Sequence, residues 1–253
     1  MQDAIDNLAL VEIRVGTFDQ ARGLLGRALD AIRGLHAGYE VFSTQCLGLI
    51  GFLAGEPELA RVELERGLRH AEPQGVLVHQ MVHGRLGQQL LLDGRVTEAI
   101  EALEYAQSLS KDGNRTQEPW IATALAGARL AAGDLARAQS EAESAFRQCL
   151  ALDARLLGID AALVVAACRR ARQGMDAAAE IAEVLATADR LIVETGARNM
   201  TAFVLVERAA LAALRGDARQ EAEHLHAAYA EFVRMGATGR AREAMARLEG
   251  LRA

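Results

Sequence analysis

Gly94-Arg95-Val96-Thr97-Glu98-Ala99 sets a glycine five residues ahead of an alanine at the start of an apolar-periodic run. The same arrangement recurs at Gly16 with Ala21, Gly55 with Ala60, Gly133 with Ala138 and Gly174 with Ala179, and in a variant at Gly216 with Ala222. The six glycines step by 39, 39, 39, 41 and 42 residues. A near-fixed period of that size marks a helical repeat array, in which each unit is too small to bury its own hydrophobic face and stacks on the next.

Two further columns keep the same register. Seven residues before the glycines stand Ala9, Gly48, Gly87, Ala126, Ala167 and Ala209; twelve after stand Ala28, Gly67, Ala106, Ala145, Ala186 and Ala228. Full columns of small residues need a geometric cause, and helices that cross closely enough to interlock their ridges supply one. Leucine fills a column eight residues before the glycine in the first four repeats, at Leu8, Leu47, Leu86 and Leu125.

Helix-forming residues dominate and strand-like alternation never persists, so the fold class is all-α. The apolar spacing predicts hairpins of helices 3–15 with 18–35, 39–54 with 57–71, 76–93 with 97–111, 119–132 with 135–150, 154–172 with 176–195 and 199–215 with 218–235, then a helix at 238–251. The repeats run over about 2–38, 39–75, 76–117, 118–153, 154–198 and 199–237, with a cap at 238–253. Each repeat glycine falls at the turn inside a hairpin, where a left-handed C-cap is cheapest without a Cβ. Pro57 and Pro119 fall where helices should begin, and Pro73 lies in a Glu-Pro-Gln-Gly break.

The 253 residues, 51% hydrophobic and 25% charged with net charge −6, describe a globular chain expected to form one continuous array. An acidic balance argues against a nucleic-acid groove, which needs a basic stripe. Lys111 is the single lysine, which argues against phosphate-loop and Schiff-base chemistry. Cys46, Cys149 and Cys168 are odd in number and widely spaced, as buried thiols in a reducing compartment would be. No signal peptide and no membrane-spanning run is evident, so the cytoplasm is the expected location.

The pattern of small residue, turn glycine, alanine and alanine resembles the tetratricopeptide repeat over nearly the whole chain. The departure is length: the family's repeat is about 34 residues, and the proline that commonly ends its second helix is missing. Longer repeats of this kind are similar to the C-terminal arrays of bacterial signalling NTPases, nucleotide cyclases and MalT-type regulators, and the ending Phe232-Val233-Arg234-Met235-Gly236-Ala237-Thr238-Gly239-Arg240-Ala241 is similar to how such cyclase chains finish.

The resemblance implies a concave groove lined by the first helix of each hairpin, about thirteen, ten, six and three residues before the turn glycine. Carried onto this chain, those positions are Phe42, Gln45, Leu49 and Phe52; Met81, Gly84, Gln88 and Leu91; Trp120, Thr123, Gly127 and Leu130; Ala161, Val164, Cys168 and Ala171; and Phe203, Val206, Ala210 and Ala213. Such a groove is apolar, fits an amphipathic helix or apolar peptide, and lacks the basic positions that clamp a C-terminal carboxylate. The same spacing also serves a stripe of core residues. A protein or peptide partner, another domain of a parent chain among them, is therefore the expected ligand, with a small molecule in the groove as the alternative.

The final helix reads as a solubilising cap, with Ala241, Ala244, Met245, Leu248 and Leu251 on one side. The first helix is apolar nearly all round, through Ile5, Leu8, Ala9, Leu10, Val11, Ile13 and Val15. It is expected to need cover, from a preceding part of a longer chain or from a second copy in a homodimer. His79 and His83 have metal-ligand spacing, but Gln80 stands where a zinc protease has glutamate, and no third ligand is evident. Arg169, Arg170 and Arg172 suit the negative end of a helix. No enzyme, cofactor or metal motif is found, and the expectation is a non-enzymatic scaffold.

Overall fold

The computed structural model of the chain describes residues 2–32, 37–71, 75–112 and 117–251. Among these lie thirteen α-helices and no strand. They are α1 (Gln2–Val15), α2 (Phe18–Ile32), α3 (Ala37–Ala54), α4 (Pro57–Ala71), α5 (Val76–Leu92), α6 (Val96–Ser108), α7 (Glu118–Ala131) and α8 (Leu135–Ala151). The rest are α9 (Arg155–Gln173), α10 (Ala178–Thr195), α11 (Thr201–Leu214), α12 (Ala218–Met235) and α13 (Thr238–Gly250). Pro57 opens α4 and Pro119 lies in the first turn of α7, where a missing N–H breaks no helical bond. Pro73 and the expected end of the second helix lie outside the described residues.

Each odd-numbered helix pairs with the even one that follows, up to α11 with α12. Five of the six turns share one device. At Gly94, φ is +74°; its N–H reaches back to the Leu91 carbonyl (3.1 Å), and the Arg95 N–H reaches the Leu90 carbonyl (2.8 Å). The same pair of bonds forms at Gly16, Gly55, Gly133 and Gly216. This left-handed closure satisfies carbonyls left open at a helix C-terminus. Packing then explains the alanine of the hexapeptide: Ala99 is fully buried, and a Cβ on Gly87 would fall 2.4 Å from Leu103 Cγ and 3.1 Å from the Ala99 carbonyl.

The fifth hairpin departs from the expected register. Gly174 opens a 3₁₀ turn, Gly174–Ala177, which delays α10 by two residues relative to the other second helices. Ala179 and Ala186 consequently face solvent, and Ile181 and Ala188, 1% and 0% exposed, occupy the places expected for them. In the sixth hairpin Glu221 stands five residues after Gly216 and meets Arg247 of α13 at 3.5 Å.

Successive odd helices pack on one another from α1 to α11, and successive even helices are held further apart, so the array curves with the odd helices inside. The curvature brings the ends together. A Cβ on Gly239 of α13 would fall 1.8 Å from the Gly55 carbonyl oxygen, the Thr238 hydroxyl bonds Glu56 (3.0 Å), and an Arg240 N–H donates to the Phe52 carbonyl (3.2 Å). Met235 lies against Gly16, and α1 packs on the 3₁₀ turn Arg198–Met200. Part of the cover that α1 needs therefore comes from the far end of its own chain: Ala9 and Ile13 share one core with Met235 and Ala237, whereas Leu8 and Val11 stay about half exposed.

Candidate functional site

Closing the superhelix leaves a half-open cavity of about 250 Å³ on its inner wall. Helices α3, α5, α7, α9 and α11 contribute Phe52 and Leu53, Gln88 and Leu91, Trp120, Thr123, Ala124 and Gly127, Asp160, Leu163 and Val164, and Phe203; Met200 of the turn before α11 joins them, and α13 adds Arg240 from across the seam. Arg240 sits 5.9 Å from the Phe52 ring centre and 5.8 Å from that of Phe203, within cation–π range of both. One of its N–H groups also meets Glu243 at 3.0 Å.

Trp120 is 5% exposed, and its placement depends on a glycine in the neighbouring helix. A Cβ on Gly84 would fall 2.6 Å from the edge of the indole, so only glycine lets the ring come this close to α5. The Arg85 guanidinium covers the ring at 4.5 Å and donates to Gln88 (2.7 Å). Burial brings the Arg85 pKa down to about 10, which leaves it charged at neutral pH. Burial also pushes the Asp160 carboxyl up to about 6, with the Arg85 charge opposing the rise. Both side chains remain partly open to water, Asp160 from within the cavity wall.

Of the twenty groove positions carried onto the chain, eight line this cavity: Phe52, Gln88, Leu91, Trp120, Thr123, Gly127, Val164 and Phe203. Thr123 spends its hydroxyl on the Pro119 carbonyl (2.8 Å) and presents its methyl group. Phe42, Leu49, Leu130 and Val206 are half-buried against the core, and Met81 is half-buried beyond the cavity. Gln45 turns the other way: it is 4% exposed, with its amide beside Gly67 of α4. Asp160 and Arg240 were absent from the sequence-based set. The signal for Asp160 is there, since it is the only charged residue between Arg155 and Arg169. Arg240 has no such signal, because it arrives through closure.

The remaining candidates disperse. His79 and His83 stack at 6.3 Å, His83 lies edge-on to Tyr105, and among the described residues no group of three metal-ligating side chains forms. Arg169, Arg170 and Arg172 reach across to Glu143, Glu207 and Gln139 on neighbouring helices.

Comparison by sequence with protein families and with curated proteins finds no match. Solved structures do match. A Rap protein complexed with competence and sporulation factor superposes with TM-score 0.72 at 12% identity, covering 99% of this chain and 70% of that one. The signal transduction ATPase with a tetratricopeptide repeat sensor from Pyrococcus horikoshii gives TM-score 0.56 at 13% identity, covering 98% of this chain and 42% of that one. The apo quorum sensor NprR from B. thuringiensis gives 0.54 at 11% identity, covering 98% and 71%. At such identities the likeness establishes the fold: this chain is a tetratricopeptide-like helical repeat array.

Proposed function

We propose that the protein is a non-enzymatic binding and regulatory module that holds a short apolar peptide segment, from a partner or from its own parent chain, inside the closed superhelix. The observation that carries this reading is the cavity, where residues from six helices converge on an aromatic and aliphatic lining. A pocket made largely before its ligand arrives avoids ordering costs on binding. Because Arg240 bridges seam and cavity, an occupant touching Phe52 and Phe203 would also favour the closed ring. Transmission to a fused output domain of a cytoplasmic bacterial signalling protein is the regulatory form of the proposal. The half-exposed Leu8 and Val11 of α1 are where a second copy or a preceding segment would dock.

Gly127 supplies the test. It lines the cavity from within α7, and a Cβ there meets nothing within 4 Å. Gly127→Leu should fill the cavity and raise helix propensity, stabilising the fold by about 0.5–1 kcal/mol. Acetylated apolar peptides should quench the fluorescence of Trp120, the only tryptophan, in the natural chain and not in this variant. Equal quenching in both would sink the reading.

A further inference from the structure

We infer that the central cavity recognises its peptide through a cationic group, an ammonium or guanidinium seated on Asp160 and flanked by apolar side chains. This rests on the proposed peptide-binding role and names the chemistry of the occupant.

Among the described residues Asp160 is the only carboxylate in the lining, set among Phe52, Leu91, Leu163, Val164 and Phe203. Among the described residues it has no hydrogen bond and no ion pair within 4.0 Å, and the opposite charge it senses is that of Arg85. The two guanidiniums that could serve it are engaged elsewhere. Arg85 lies over Trp120 and donates to Gln88; Arg240 holds Glu243 and the Phe52 carbonyl. Arg85 and, behind the wall, the Cys149 thiol are the other titratable groups that sense Asp160. A half-buried carboxylate with no hydrogen-bond partner, sensed only by a guanidinium engaged elsewhere, carries a desolvation cost that a proton or an arriving cation relieves.

The geometry favours a peptide as the carrier of that cation. Gln88 gives its oxygen to Arg85 and keeps an NH₂ group, unbonded among the described residues, that can donate to a peptide carbonyl. Leu49, Leu130 and Val206, on the same helices as the lining residues, are half-buried against the core and leave part of their apolar surface for flanking side chains. A lysine or arginine stem would lie along Leu163 and Val164 with its charged head at Asp160.

Two pools of acetylated, amidated tripeptides provide the test, with lysine or norleucine at the centre and Leu, Ile, Val or Phe on either side. Binding is read by Trp120 fluorescence in the natural chain, in Asp160→Asn and in Gly127→Leu. The lysine pool should bind the natural chain at least tenfold more tightly than the norleucine pool, and Asp160→Asn should erase that preference while remaining folded. Equal affinity for the two pools overturns the cation and leaves the peptide cavity standing. So does a lysine preference that survives Asp160→Asn. Silence from both pools, or binding undiminished in Gly127→Leu, overturns the cavity reading itself.

Discussion

Gly55 and Gly94 hold the same place in successive hairpins, and their backbones are alike, with φ of +69° and +74° and matching pairs of closing hydrogen bonds. Their surroundings are not alike. A Cβ on Gly94 would meet nothing within 4 Å, whereas one on Gly55 would fall 2.9 Å from the Arg240 backbone nitrogen. One glycine ends a helix; the other ends a helix and forms half of the seam on which α13 docks. The repeat rule therefore accounts for the turn, and only the accumulated curvature of the array accounts for what the turn touches.

The largest effect is expected where the seam is tightest. Gly239→Val would place side-chain atoms inside the backbone of Ala54 and Gly55, and neither backbone can yield without moving a helix. The seam should open at a cost of about 3 kcal/mol. Circular dichroism should show helicity retained, and solution scattering should show a larger radius of gyration than the natural chain. An unchanged radius with an unchanged melting temperature would show that the ends do not meet in solution.

A finer separation comes from Gly94→Ala and Gly55→Ala. The first adds only left-handed backbone strain, about 1 kcal/mol. The second adds the same strain and a collision with α13, for a total of about 2–3 kcal/mol. In a Gly239→Val background the collision partner has withdrawn, so the two substitutions should cost the same. A double-mutant cycle read by denaturant unfolding measures the difference. Equal costs in the natural background would remove the seam from the comparison.

The same division between local and accumulated geometry explains what could be read from the chain. Gly94 and Ala99 are legible because a left-handed cap and a small buried residue are decided within one hairpin. Repeat five shows the limit: Gly-Met-Asp-Ala at Gly174–Ala177 carries no mark of a 3₁₀ turn, so Ala179 and Ala186 were expected where Ile181 and Ala188 are found. In the cavity, Phe52, Leu91 and Trp120 follow from counting back from the turn glycines. Asp160 lies one residue off that count, and Arg240 enters the site from 188 residues beyond Phe52. Gln45 shows why a count cannot fix which way a side chain turns on a helix that is packed on several sides.

Asp160 offers the smallest effect and ties the seam to the site. Its carboxyl titrates at about 6 in the folded protein, against an ordinary 3.8, because burial disfavours the charge. A raised acid binds its proton more tightly when folded, so its contribution to stability is complete below 3.8 and is lost as pH rises through 6. The stability difference between the natural chain and Asp160→Asn should therefore be small at pH 4 and should favour the asparagine variant by on the order of 2 kcal/mol near pH 7.5. Denaturant midpoints at a series of pH values measure it, with ion pairs such as Arg129 with Glu104 cancelling between the two proteins. Opening the seam should admit water and return the carboxyl toward its ordinary value. In Gly239→Val the pH-dependent part of that difference should shrink by at least half. If it keeps its full size, Asp160 is buried by its own hairpin alone, and the closure at Gly55 does not govern the environment of the cavity.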